Sequence, residues 1–252
     1  MIMNQPKSHI EKLSSGLSFE MIFVEGGAFM MGSDSKEAYD RESPVHQVSL
    51  DSFYIGKYPV IQALWEAVMG NNPSNFQGEN NPVERVSWSD SQDFIKKLNV
   101  LTRKEYRLPT EAEWEFAARG GNHTEGYKYS GSDRLKEVGW YRGNSKNTAH
   151  LVGDKLSNEL GIFDMSGNVD EWCLDYYSDD YYQKCFDMGK IKNPRDSIIR
   201  DSHVIRGGGF FNKARNCRSS SRFNYLSDDG SFNIGFRLAL SFQLTGRSDG
   251  FH

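Results

Sequence analysis

Three cysteines, Cys173, Cys185 and Cys217, are the residues of this chain best suited to redox or covalent chemistry. A pair of thiolates would select Cu(I), because soft sulfur suits that ion. No two of them form a CxxC pair, and an odd count does not close a disulfide framework. A single Cys173–Cys185 bridge stays open; the expectation is free or structural thiols. The six histidines, His9, His46, His123, His150, His203 and His252, stand singly along the chain. No H-x3-H pair or facial-triad grouping is visible, so an iron site is not signalled by spacing, although distant ligands can converge.

A second constellation is compositional. From Ser219 to Asn233 only Ser, Arg, Phe, Asn, Tyr, Leu, Asp and Gly occur. Lys, Glu, Gln, Met and Trp are missing, although Lys and Glu are common elsewhere in the chain. Those absent types are the ones that adenine-directed randomisation of an AAC codon cannot produce. Aromatics interleaved with small polar residues also make an adaptable contact surface, since rings bring area at low entropy cost.

The elements that must carry these residues can be read in part. "FEMIFVEGGAFMMGS" reads as two apolar segments about a Gly26-Gly27 turn, a hairpin signal. "HQVSLDSFYIGKYPV" continues as strand, with Val48, Leu50, Phe53 and Ile55 apolar. "IQALWEAVMG" reads as a helix stopped at Gly70. Ser89 with Gln92 predicts a capping box for a second helix, whose apolar stripe is Phe94, Ile95, Leu98 and Leu101. Thr110 with Glu113 predicts a third helix, ended by Gly120-Gly121. Trp88, Trp114 and Trp172 are expected in the core, and Arg119, Arg206 and Arg237 in internal ion pairs. Residues 122–205 are loop-rich, which is uncommon in a compact domain unless something anchors them.

The chain has 252 residues, Lys+Arg 30 against Asp+Glu 34 and a formal net charge of −4. That length can bury a sizeable core in one large domain. The balanced charge argues against nucleic acid as a partner, and no apolar run is long enough for a transmembrane segment. "MIMNQPKSHIEKLSSG" has no signal-peptide apolar stretch. No compartment is assigned; a cell-surface placement would need a signal or lipoprotein segment beyond this sequence. A monomer is expected.

"VEGGAFMMGS", "PVERVSWSDSQDF", "YRLPTEAEWEFAARGG", "GIFDMSGNVDEW", "VIRGGGFF" and "NIGFRLAL", in this order, resemble the formylglycine-generating-enzyme, or sulfatase-modifying-factor, domain. The resemblance implies an α+β, C-type lectin-like fold: a small twisted antiparallel sheet, two main helices and extensive ordered loops. It implies an N-terminal extension at 1–18, the domain at 19–243 and a tail at 244–252. Family enzymes use a cysteine pair with copper, and other members use non-haem iron. Here the segment between "RGG" and "GFR" holds Cys217 alone, with Asn212 at the companion position. No copper or iron, and no catalytic residue, is therefore expected. The resemblance places a structural Ca²⁺ at Asp164, Gly167, Val169 and Glu171, hard oxygen donors in a glycine loop.

Residues 207–234 are similar to the variable region of retroelement-diversified proteins with a C-type lectin fold. The expectation is a non-enzymatic display or receptor-type protein that binds a protein or glycan ligand. Its binding face would comprise Phe210, Phe211, Asn212, Phe223, Asn224, Tyr225, Ser227, Asp229, Ser231 and Phe232. The flanks "VIRGG" and "NIGFRLAL" would be paired strands, with Val204, Ile205, Ile234, Phe236 and Leu238 in the core. The alternative is a formylglycine-generating or related sulfatase-modifying oxidoreductase.

Overall fold

The computed structural model describes residues 8–242. The expected tail at 244–252 lies outside the described residues. Three sheets and a few helices surround two large apolar cores and a smaller third cluster. The five-stranded sheet has the order β1 (Ser8–Lys12), β2 (Ser18–Val24), β5 (Phe53–Gly56), β12 (Ala239–Ser241) and β6 (Tyr106–Arg107). The three-stranded sheet joins β3 (Ala28–Met31), β4 (His46–Ser49) and β8 (Ile191–Lys192). The four-stranded sheet runs β10 (Arg222–Leu226), β9 (Ser202–Arg206), β7 (Asp170–Tyr176) and β11 (Ile234–Phe236). Strand β1 pairs with β2 along its whole length, so part of the expected N-terminal extension belongs to a sheet. Most pairings are antiparallel; β11–β7 and β4–β8 are parallel.

The Gly26-Gly27 turn does not close a hairpin, because β2 and β3 lie in different sheets. Instead Gly27 exchanges backbone hydrogen bonds with Leu50 at 3.1 and 2.8 Å. A Cβ on Gly26 would sit 2.5 Å from the Leu50 carbonyl oxygen, so the close approach of the two segments excludes a side chain there.

Helix α1 (Gln62–Met69) ends where Gly70 adopts φ 81°, as its sequence predicts. Helix α2 (Trp88–Thr102) has its N-cap at Ser87, two residues before the predicted one at Ser89. Ser87 Oγ accepts from the Asp90 N–H at 3.0 Å, and Asp90 Oδ2 accepts from the Ser87 N–H at 2.9 Å. Phe94, Ile95 and Leu98 of its stripe are buried, whereas Leu101 is exposed. Helix α3 (Glu111–Ala118) carries the predicted Thr110–Glu113 box. Helices α4 (Leu135–Val138) and α5 (Tyr181–Asp187) punctuate the loop-rich stretch. Trp114 and Trp172 are fully buried, and Trp88 is half-buried. The cysteines are free and buried, which answers the open bridge between Cys173 and Cys185.

The flanks of the C-terminal segment share a sheet but are not paired with each other. β9 and β11 lie on either side of β7. Their apolar residues Val204, Ile205, Ile234 and Phe236, with Leu238, are buried as expected.

Candidate ligand-binding face

A frame of buried arginines holds the segment on which the candidate face sits. Arg218 donates through Nη1 to Glu42 Oε2 at 2.8 Å, and Arg222 through Nε to Glu111 Oε1 at 2.6 Å. Arg206 pairs with Glu115 and donates through Nη1 to the carbonyls of Ser220 and Ser221 at 2.8 and 2.6 Å. Burial alone would raise Glu115, but Arg119 and Arg206 outweigh it and hold the carboxyl below its usual range. Arg237 grips Glu171, and the predicted ion pair of Arg119 forms with Glu115.

Beyond Arg222 the chain turns outward. β10 is an edge strand paired to β9 from Arg222↔Arg206 to Leu226↔Ser202. Asn224, Tyr225 and Leu226 are exposed, followed by Asp228, Asp229, Gly230 and Phe232, and burial resumes at Ile234. The loop is pinned from below. The Ser227 carbonyl accepts from the Trp88 N–H at 3.0 Å, and the Ser231 carbonyl from the Arg85 N–H at 3.1 Å.

The structure divides the predicted face residues. Phe211, Asn224, Tyr225, Asp229 and Phe232 are exposed, with Phe211 and Phe232 in edge-to-face contact at 5.8 Å. Phe210 is not on the face: it is fully buried and its ring lies 5.1 Å from Phe76. Asn212 is half-buried and structural, its Oδ1 accepting from the Gly209 N–H at 2.9 Å. Phe223 is half-buried opposite Ile205, with the Arg41 guanidinium 4.4 Å above its ring. Ser227 and Ser231 are half-buried, and their hydroxyls bond the Asp201 carbonyl and Asn233 Oδ1.

Sequence reasoning missed a cleft of about 460 Å³ beside this loop. Leu226, Asp228 and Asp229 meet Trp88, Tyr176 and His203 there. The His203 ring stacks on Trp88 at 3.9 Å and lies 4.1 Å from Tyr176. Burial, with a contribution from Arg195, pushes its pKa down to about 4. A lone histidine carries no spacing signal, so nothing in the sequence marked it.

The four residues expected around calcium are buried, and both carboxylates among them are engaged within the fold. Glu171 Oε2 accepts from Arg237 Nε at 2.6 Å and from Trp114 Nε1 at 2.7 Å, while Oε1 accepts from Arg237 Nη2 at 2.6 Å. Arg237 therefore competes with any divalent ion for that carboxylate. Asp164 Oδ2 accepts from the Gly153 N–H at 2.7 Å, and burial raises its pKa to about 6. Gly167 gives its N–H to the Gly207 carbonyl at 3.0 Å, and Val169 is fully buried. Among the described residues no group of three or more His, Cys, Asp or Glu could hold a metal.

Cys217 is fully buried, its Sγ 3.8 Å from the Lys213 carbonyl, and burial pushes its thiol well up. Thiolate chemistry needs the opposite environment.

The architecture is an α+β, C-type lectin-like fold carrying an exposed edge strand and loop on a frame of buried arginines. Residues 7–242 match the sulfatase-modifying factor enzyme 1-like domain, and the chain belongs to that family. It is 37% identical over 212 residues to the chaperone protein LppX of Paenibacillus barcinonensis, covering 64% of this chain and 73% of that protein. It is 29% identical to the formylglycine-generating enzyme of Streptomyces coelicolor, covering 89% of this chain and 90% of the enzyme. The solved structure of Treponema denticola variable protein 1 superposes with a TM-score of 0.85 at 29% identity, covering 94% of this chain and 100% of that one. Among the described residues no helix is long and apolar enough to cross a membrane.

Proposed function

We propose that this protein is a non-enzymatic ligand-binding protein whose 207–234 segment displays a sequence-tolerant face on the lectin-like scaffold. One observation carries the reading: beyond the buried Arg222 an exposed stretch runs from Asn224 to Phe232, with Ser227 and Ser231 half-buried in it, before burial resumes at Ile234. Substitutions at exposed positions usually cost little stability. The face can therefore change while Arg218, Arg222 and Arg237 keep their buried carboxylates. The adenine-limited alphabet from Ser219 to Asn233 and the likeness to Treponema denticola variable protein 1 support the same reading. Exposed rings with a polar rim suit a protein or glycan ligand.

The formylglycine-generating alternative needs two sulfurs where this segment has Cys217, and Asn212 already caps a turn. No copper or iron enters the proposal. The test is a library randomised at Asn224, Tyr225, Leu226, Asp228, Asp229 and Phe232. Most members should fold, and selection against unrelated protein targets should yield binders. A library that mostly unfolds refutes the proposal. So does aldehyde formation on a sulfatase-motif peptide, with copper, oxygen and a thiol reductant, that Cys217→Ser abolishes.

A further inference from the structure

The cleft beside the face has a chemistry of its own. Asp201, Asp228 and Asp229 line it and are exposed. Arg200 is the cation in its wall, and its Nη1 is paired with the buried Asp196 at 2.8 Å. Arg195 is felt at His203 but does not line the cleft. The lining is therefore acidic, with its cation already offset.

His203 adds an independent observation. It lines the cleft at 1% exposure, and its Nε2 has no hydrogen-bond partner. The Ser227 hydroxyl donates to the Asp201 carbonyl at 2.9 Å, which leaves its oxygen to accept from His203 Nδ1 at 2.7 Å. Nδ1 then carries the proton and Nε2 is a bare acceptor. The stacked Trp88 ring and the nearby Tyr176 ring hold the imidazole in place. Burial keeps the ring neutral at physiological pH, so protonation does not satisfy Nε2 there. A ligand that brings N–H donors relieves a group that the fold leaves unpaired.

We propose that this cleft takes a basic side chain of a protein partner, an arginine guanidinium, which donates to His203 Nε2 and to the carboxylates of Asp228 and Asp229. Guanidinium offers five donors in a planar fork, which matches one ring acceptor beside carboxylates. An opening of about 460 Å³ has room for that head group. The inference rests on the binding-face reading and deepens it by naming the partner chemistry.

The test follows the His203 imidazole ¹⁵N resonances in labelled protein. The probes are N-acetyl-arginine amide, its uncharged citrulline counterpart, and tetramethylammonium, which has charge but no donor. The arginine probe should shift Nε2 saturably, citrulline should bind about 10-fold more weakly, and tetramethylammonium should give no saturable shift. Asp228→Asn with Asp229→Asn should weaken the arginine probe about 10-fold without moving the melting temperature appreciably. No saturable shift, equal binding of citrulline, or an equal response to tetramethylammonium overturns the proposal. A Phe211→Ser, Phe232→Ser variant should keep the probe response, so the cleft can fail while the face stands, and the face while the cleft stands.

Discussion

Adjacent phenylalanines offer the sharpest test of where the scaffold ends. Phe210 is 0% exposed and packs on Phe76, whereas Phe211 is 48% and Phe232 44% exposed. Phe210→Ala should cost about 3–5 kcal/mol, the lost transfer energy plus the cavity. At roughly 2–4 °C per kcal/mol for a chain of this size, the melting temperature should fall by about 6–20 °C. Full burial of a phenylalanine is worth about 1.5–3 kcal/mol, so each half-exposed ring contributes about 1 kcal/mol. The Phe211→Ser, Phe232→Ser double variant should then lose about 2 kcal/mol, or roughly 4–8 °C. Thermal unfolding followed by circular dichroism and calorimetry reads all three proteins. If the double variant melts as low as Phe210→Ala, these rings are core and the proposed partition between frame and face is wrong. Phe223 is unsuited to this test, because its half-buried ring packs against the core and supports Arg41.

Arg237→Met should cost about 3–5 kcal/mol, since it leaves Glu171 charged and buried, and adding Glu171→Gln should recover part of that loss. The wild-type melting temperature should show no calcium-dependent increment that Glu171→Gln removes; finding one would make that carboxylate a ligand after all. Burial raises the folded pKa of Asp170 to about 7 and of Asp175 to about 7, above the ordinary aspartate value of 3.8. Each such group stabilises the fold fully below its unfolded pKa and loses that contribution as pH rises from about 4 through about 7. Asp170→Asn should therefore flatten the fall in denaturant stability between pH 5 and 8, by up to roughly 1.4 kcal/mol per pH unit; an unchanged slope would refute the assignment. His203 works in the opposite sense, losing stability as pH falls from 6.5 towards about 4. Native Cys173, Cys185 and Cys217 should resist iodoacetamide near pH 8 and react only on unfolding, because burial raises all three thiols. Rapid native alkylation of Cys217, read by mass spectrometry, would contradict its burial.

Local signals were legible where one short-range interaction decides the conformation. Thr110 with Glu113 and the left-handed Gly70 are of that kind. The box at Ser87 was misplaced by two residues because Asp at N3 can do what Gln92 was expected to do. Which aromatics are exposed was not legible in the 207–221 stretch. Backbone there follows neither a strand nor a helix period: Gly207 and Gly208 take φ 95° and 66°, and Phe210 and Phe211 face opposite environments. A Cβ on Gly208 would meet Asn216 O and Cys217 Sγ, each at 2.9 Å, a constraint that only the folded chain reveals. The internal partner of the carboxylate expected at calcium was not legible for a related reason. Glu171 and Arg237 are distant in sequence, and β11 brings the strand leading to Arg237 alongside β7.

The arginine frame explains how so irregular a domain can support a changing face. Long loops leave backbone carbonyls without ladder partners, and buried carbonyls must be satisfied. Arg206 supplies donors to Ser220 and Ser221, and Arg237 supplies them to Gly56 at 2.9 Å and Phe163 at 3.0 Å while also holding Glu171. A single guanidinium thus ties a loop carbonyl to a buried carboxylate, a task for which lysine has too few donors and no fixed fork. The exposed tip is tied down by backbone bonds to Trp88, Arg85 and Asp201, none of which depends on side-chain identity. Arg206→Lys should consequently destabilise the fold more than any single exposed substitution from Asn224 to Phe232. Denaturant unfolding of that series would refute the argument if the ranking came out reversed.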